Sequence, residues 1–97
     1  MATYLALFNF TQKGAETLKE APSRIDAARQ LAKSVGGDVK EVYLAMGQYD
    51  LVALFDAPDD EAVAKVMLGI GQRGTVSSQT MRLFSEAEFR RLCTELP

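Results

Sequence analysis

Five polar residues are of the types that hold a small anion or move a proton: Thr11, Lys13, Arg24, Tyr49 and Asp50. Thr11, Lys13 and Arg24 flank the connection from a first strand to a first helix. A cation beside free N–H groups at a helix start is chemistry for a carboxylate or phosphate. Solvated surface charge is the competing reading of the same residues. Tyr49 and Asp50 close the run Gly47-Gln48-Tyr49-Asp50. There a phenol can donate or stack, and a carboxylate can accept a proton. The same four residues also suit a plain hairpin turn, with Gly47 supplying a positive φ.

Other candidates fall away on their context. Gly69-Ile70-Gly71-Gln72-Arg73-Gly74 spells G-x-G-x-x-G. That motif grips a pyrophosphate only after a strand and at the opening of a helix. Here it closes a helix and precedes a strand, so it reads as a cap and turn. Asp59-Asp60-Glu61 is explained by helix capping rather than by a metal. Histidine is absent and Cys93 is the single cysteine. No Ser-His or Cys-His nucleophile can be built, and zinc and copper lose their usual ligands. The expectation is therefore no metal and no cofactor. Cys93 falls on the apolar stripe of the last helix, where a buried, inert thiol is expected.

Composition narrows the partners. The 97 residues are 47% apolar and 25% charged, with net charge −2, which fits one globular domain spanning residues 1–97. No basic run exists to meet phosphates, so nucleic acid and polybasic membrane contacts are not expected. No apolar run approaches the length of a membrane span. Met1-Ala2-Thr3-Tyr4-Leu5 lacks the pattern of a signal peptide. With a lone cysteine, these features predict a cytoplasmic location.

The elements that must position the candidates follow from periodicity. Residues 3–10 predict a strand apolar on both faces, with Tyr4, Ala6, Phe8 and Phe10 on one and Leu5 and Leu7 on the other. Residues 15–22 read as a loop or a loose turn of helix. Ser23 to Asp26 predicts a capped helix start, and Ile25, Ala28, Leu31, Ala32 and Val35 fall on one helical face until Gly36-Gly37. Val39 to Met46 and residues 49 or 50 to Phe55 predict a hairpin around a tight Gly47-Gln48 turn. A second helix opens at Asp59, with Ala62, Val63, Val66, Met67 and Ile70 inward. Thr75 to Phe84 predicts a polar edge strand. Ser85-Glu86-Ala87-Glu88 predicts a capped terminal helix with Phe89, Leu92, Cys93 and Leu96 inward.

The order is β-α-β-β-α-β plus a terminal helix, an α+β sandwich of ferredoxin-like topology with strands 1 and 3 central. Those two strands are the ones apolar on both faces. If both helices cover one face, the other stays bare and apolar, and the remedy is a second copy stacked on it. A homodimer or larger oligomer is expected.

Glu41-Val42-Tyr43-Leu44-Ala45-Met46-Gly47-Gln48-Tyr49-Asp50-Leu51-Val52, with Asp56 to Ala62, strongly resembles the GYD domain family. Phe10 to Gly14 and Ser23-Arg24 resemble that family's opening loop and first helix start. The likeness runs from Tyr4 to about Phe89. The signature appears with one residue, Gln48, between Gly47 and Tyr49. The resemblance implies a dimeric α+β barrel, and no specific chemistry, since the family is uncharacterised. The hairpin is also similar to that of the ligand-sensing domain of leucine-responsive regulators, which bind small amino acids at oligomer contacts. The leading expectation is a homo-oligomeric small-metabolite-binding or regulatory module holding a small anionic metabolite. One alternative is a cofactor-free enzyme, isomerase-like or monooxygenase-like, acting on a small organic acid with Asp50 as base. The other is a protein–protein interaction module.

Overall fold

The computed structural model describes residues Met1–Pro97. β1 (Ala2–Phe10) leads into a short helix α1 (Gln12–Glu16), a 3-10 turn (Leu18–Glu20) and the long helix α2 (Ala21–Ser34). β2 (Asp38–Leu44) and β3 (Leu51–Ala57) follow, then α3 (Asp60–Gly71), β4 (Val76–Leu83) and α4 (Glu86–Thr94). The four strands form one antiparallel sheet in the order β2-β3-β1-β4. The ferredoxin-like α+β topology is thus present, with the two doubly apolar strands in the middle.

Alternation along the strands separates two faces. Tyr4 lies opposite Phe55 and Ala6 opposite Ala53. These four, with Ala57 and with Ala62 and Val63 of α3, make the buried core. The Tyr4 and Phe55 rings stack at 5.5 Å. Tyr4 keeps its polar tip satisfied by donating to Asp60 Oδ1 at 2.7 Å. α2 and α3 pack side by side over this face. Leu31 packs into the space left by Gly69, where a Cβ would lie 2.6 Å from Leu31 Cδ2 and would turn that side chain aside.

The opposite face carries Leu5 against Leu54 and Leu7 against Val52. Met81 extends the row from β4 and Tyr43 from β2. Neither α2 nor α3 covers it, and α4 is not docked on it. Only 11 of 97 residues are buried, and the chain exposes 6461 Å². A monomer of 10.6 kDa is expected to expose about 5,500 Å². The excess, about 1,000 Å², is the area one partner commonly contributes to a stable protein interface. The radius of gyration of 14.8 Å also exceeds the value of about 12.5 Å for this length.

Several local expectations are corrected. Ser23 does not cap α2: the helix already starts at Ala21, with Pro22 in its first turn, and Ser23 Oγ donates back to Glu20 O at 2.8 Å. The fixed φ of proline is preorganised for a helix start, so it moves the boundary earlier. Of the two readings of residues 15–22 the helical one is present, as the end of α1, a 3-10 turn and the opening of α2. The hairpin turn is longer than two residues: β2 ends at Leu44 and β3 begins at Leu51, with Gly47 at φ +121°. The Ser85–Glu88 capping box forms as expected. Its helix does not fold inward, however. Phe89 is 61% exposed, Leu92 and Leu96 are exposed, and so is Cys93. α4 leaves these side chains largely in solvent and packs extensively on no other element of its own chain.

Candidate functional site

Three of the five candidate residues meet at one junction, where the segment after β1 crosses the start of β4. Thr11 caps α1 by accepting from Gly14 N at 3.2 Å. Its hydroxyl donates to Gly74 O at 2.6 Å, and its backbone N–H to Thr75 O at 3.0 Å. Gly14 is buried against β4, and a Cβ there would overlap the Thr75 carbonyl oxygen. Gly74 makes the turn into β4 at φ +74°, in the left-handed region glycine enters freely. Lys13 Nζ donates to Arg73 O at 3.1 Å. Arg24, half-buried on the first turns of α2, donates through Nη1 to Thr17 O at 3.1 Å and Thr17 Oγ1 at 3.0 Å. Its Nη2 reaches Gly14 O at 3.3 Å. Every acceptor of these two cations is a neutral oxygen, and neither forms an ion pair.

Asp50 and Tyr49 are placed differently. Asp50 Oδ2 accepts from Phe10 N at 2.9 Å, and Asp50 N donates to Phe8 O at 2.8 Å. The carboxylate therefore sits one residue from Thr11 and is committed to the backbone. Tyr49 reaches across the end of β1 and donates to Gln79 Oε1 at 2.7 Å. Gln79 pairs with Leu7, on the bare face of the sheet. Tyr49 thus joins the rim of that face rather than the cation junction.

Each member of the acidic run has a structural partner. Asp59 Oδ1 accepts from Ala62 N at 2.9 Å, Asp60 accepts from Tyr4, and Glu61 pairs with Lys65. The carboxylate of Asp60 holds the Tyr4 phenol above its ordinary pKa, and burial adds to the effect. No cluster of three or more His, Cys, Asp or Glu side chains stands ready for a metal ion.

Sequence reasoning missed a cavity. About 100 Å³ of open space lies between the helix-covered face of the sheet and α2 and α3. Sixteen of its twenty lining residues are hydrophobic; the only charged ones are Arg24, Arg29 and Arg73. Ala6, Ala28, Ala32 and Ala53 create the room, since all four point small side chains where larger ones would fill the core. That run of inward alanines was the available signal. Arg73 was hidden in the glycine-rich turn.

The sequence profile of the GYD domain matches residues 4–93. The chain belongs to the GYD domain family. This GYD domain is 36% identical over 89 residues to a Thermus thermophilus protein named glutamine synthetase and cystathionine beta-lyase binding protein. The alignment covers 91% of this chain and 94% of that one. A solved Thermus thermophilus structure is 28% identical, with a TM-score of 0.56 over 88% of this chain and 95% of the other chain. Ribosomal protein S6 of Thermotoga maritima shares the fold alone, at 11% identity and a TM-score of 0.67, covering 96% and 97% of the two chains. No helix of the GYD domain is long and apolar enough to cross a membrane.

Proposed function

We propose that this GYD domain is a non-catalytic binding module. It pairs with a second copy through the bare sheet face, acts as a regulatory partner of metabolic enzymes, and holds a small anionic ligand. The observation that carries the reading is the apolar strip of Leu5, Leu7, Val52, Leu54 and Met81, uncovered by any element of its own chain. Two such strips stacked about a twofold axis are self-complementary and remove both from water. The undocked α4, apolar along Phe89 and Leu92, with Leu96 just beyond its end, adds a surface suited to an enzyme partner.

The relative named for binding glutamine synthetase and cystathionine beta-lyase supports protein partners of that class. The grouping of Lys13 and Arg24 at one junction, without a carboxylate partner, supports the anionic ligand. Asp50 favours binding over catalysis, because its carboxylate already serves the Phe10 amide. In this reading the protein works in the cytoplasm, where the exposed Cys93 stays reduced.

The test combines two measurements on the purified full chain. Light scattering coupled to size exclusion gives the subunit count. Surface plasmon resonance gives binding to glutamine synthetase and cystathionine beta-lyase purified from the same cells. A dimer or larger assembly that binds either enzyme supports the reading. A monomer at micromolar concentration that binds neither overturns it.

A further inference from the structure

We propose that the cavity beneath α2 and α3 is a binding site for a short aliphatic carboxylate, with its chain among the alanines and its carboxylate at Arg73 and Arg24. The proposal rests on the small-ligand part of the reading above and gives that ligand a chemical class and a seat.

Three properties of the cavity define the ligand. The first is size. An apolar cavity of about 150 Å³ takes up benzene; 100 Å³ admits a somewhat smaller group, a straight or branched chain of about four carbons. The second is lining. The walls are alkyl and aromatic carbon from Phe8, Phe10, Ile25, Val66 and Met67, so the inserted part must itself be apolar. The third is charge. The charged groups on the wall are all guanidinium, with no acid among the lining residues.

The mouth can be located. Arg73 both lines the cavity and is exposed, so the cavity meets solvent beside it. Arg24, half-buried, spends its hydrogen bonds on Thr17 and Gly14. Those neutral acceptors leave its charge uncompensated. Arg73 makes no side-chain hydrogen bond or ion pair, while its carbonyl anchors Lys13 Nζ. A carboxylate entering here receives charge-assisted bonds from a planar fork built for that geometry.

The same inventory selects against an amino acid. An α-ammonium group needs a carboxylate or several carbonyl acceptors, and no acid lines this space. Simple and 2-oxo acids with a branched chain fit; the amino acid of the same skeleton finds no partner for its ammonium. This separates the cavity in chemistry as well as place from a site at oligomer contacts for amino acids.

Isothermal titration calorimetry on the full chain would use 3-methylbutanoate and 4-methyl-2-oxopentanoate as probes. Leucine tests the ammonium, 3-methylbutylamine the charge, and acetate the chain. The expected result is saturable binding of the two acids, with at least about tenfold weaker binding of the other three. Arg73→Gln, at an exposed position, should weaken the acids by about tenfold or more. Ala28→Leu should fill the space and abolish binding while the protein still melts cooperatively. Three outcomes overturn the proposal: no heat from either acid up to about 10 mM, equal binding of leucine or the amine, or unchanged affinity in folded Ala28→Leu. Light scattering on the same samples keeps the two readings separate. A dimer that binds neither acid removes the cavity site and leaves self-association standing.

Discussion

The carboxylate of Asp50 accepts the backbone N–H of Phe10 at 2.9 Å, forty residues away in sequence. Asp50 N returns a bond to Phe8 O at 2.8 Å, and Asp50 O accepts from Ala45 N at 2.8 Å. The loop between β2 and β3 is thereby stapled to the last residues of β1. Asp50→Ala leaves the Phe10 amide without its partner. The expected loss is about 1–2 kcal/mol of folding stability, read as a lower urea midpoint with an unchanged slope. Since the role is structural, binding of 3-methylbutanoate should survive in the folded variant.

Gly14 is needed for contact rather than for flexibility. Its α-hydrogen faces the Thr75 carbonyl, and no Cβ fits there. Gly14→Ala must push α1 from β4, straining the Thr11–Thr75 and Thr11–Gly74 bonds. Destabilisation of about 2–3 kcal/mol is expected, measured by thermal melting. A variant as stable as the parent would show that the junction is looser than its geometry implies.

Tyr4 gives the fold a dependence on alkaline pH. Its phenol is held above the ordinary value first by the hydrogen bond to Asp60 and then by burial. The folded chain therefore keeps this proton more tightly than the unfolded chain does. Stability from this group is complete below the unfolded pKa of about 10 and is lost as pH rises through the folded value. Tyr4→Phe should lose about 1 kcal/mol at neutral pH and flatten the decline above about pH 10. Parallel urea titrations at neutral and alkaline pH would read both effects.

Leu54 sits at the centre of the bare face, opposite Leu5. Leu54→Lys leaves the helix-covered core untouched, so the monomer's melting should change little. Buried against a second copy, the same ammonium has no partner. Self-association should weaken about thirtyfold or more, seen as a shift toward monomer in sedimentation velocity. An unchanged assembly would move the interface elsewhere, with α4 the next surface to test.

Much of the architecture was legible because it depends on local pattern. β1 and β3 are apolar at successive positions, and a strand buried on both faces belongs in the sheet centre. Asp59 and Ser85 cap their helices because capping joins residues three apart. Cys93 was misplaced for a related reason. The stripe of Phe89, Leu92, Cys93 and Leu96 identifies an amphipathic helix, but periodicity does not say whether the surface it meets belongs to the same chain. The candidate site was half legible. Thr11, Lys13 and Arg24 have suitable chemistry, yet their convergence with Arg73 comes from the packing of β4 beside β1.

The sequence by itself determined the order of elements, the two central strands and an apolar face in need of a cover, because side-chain periodicity and capping act over a few residues. Only the tertiary structure decided that Asp50 closes onto Phe10, that Gly14 must touch Thr75, and that inward alanines leave about 100 Å³ open beside Arg73. Those features depend on the volume and direction of side chains brought together from distant parts of the chain. That sum is set when α2 and α3 close over the sheet.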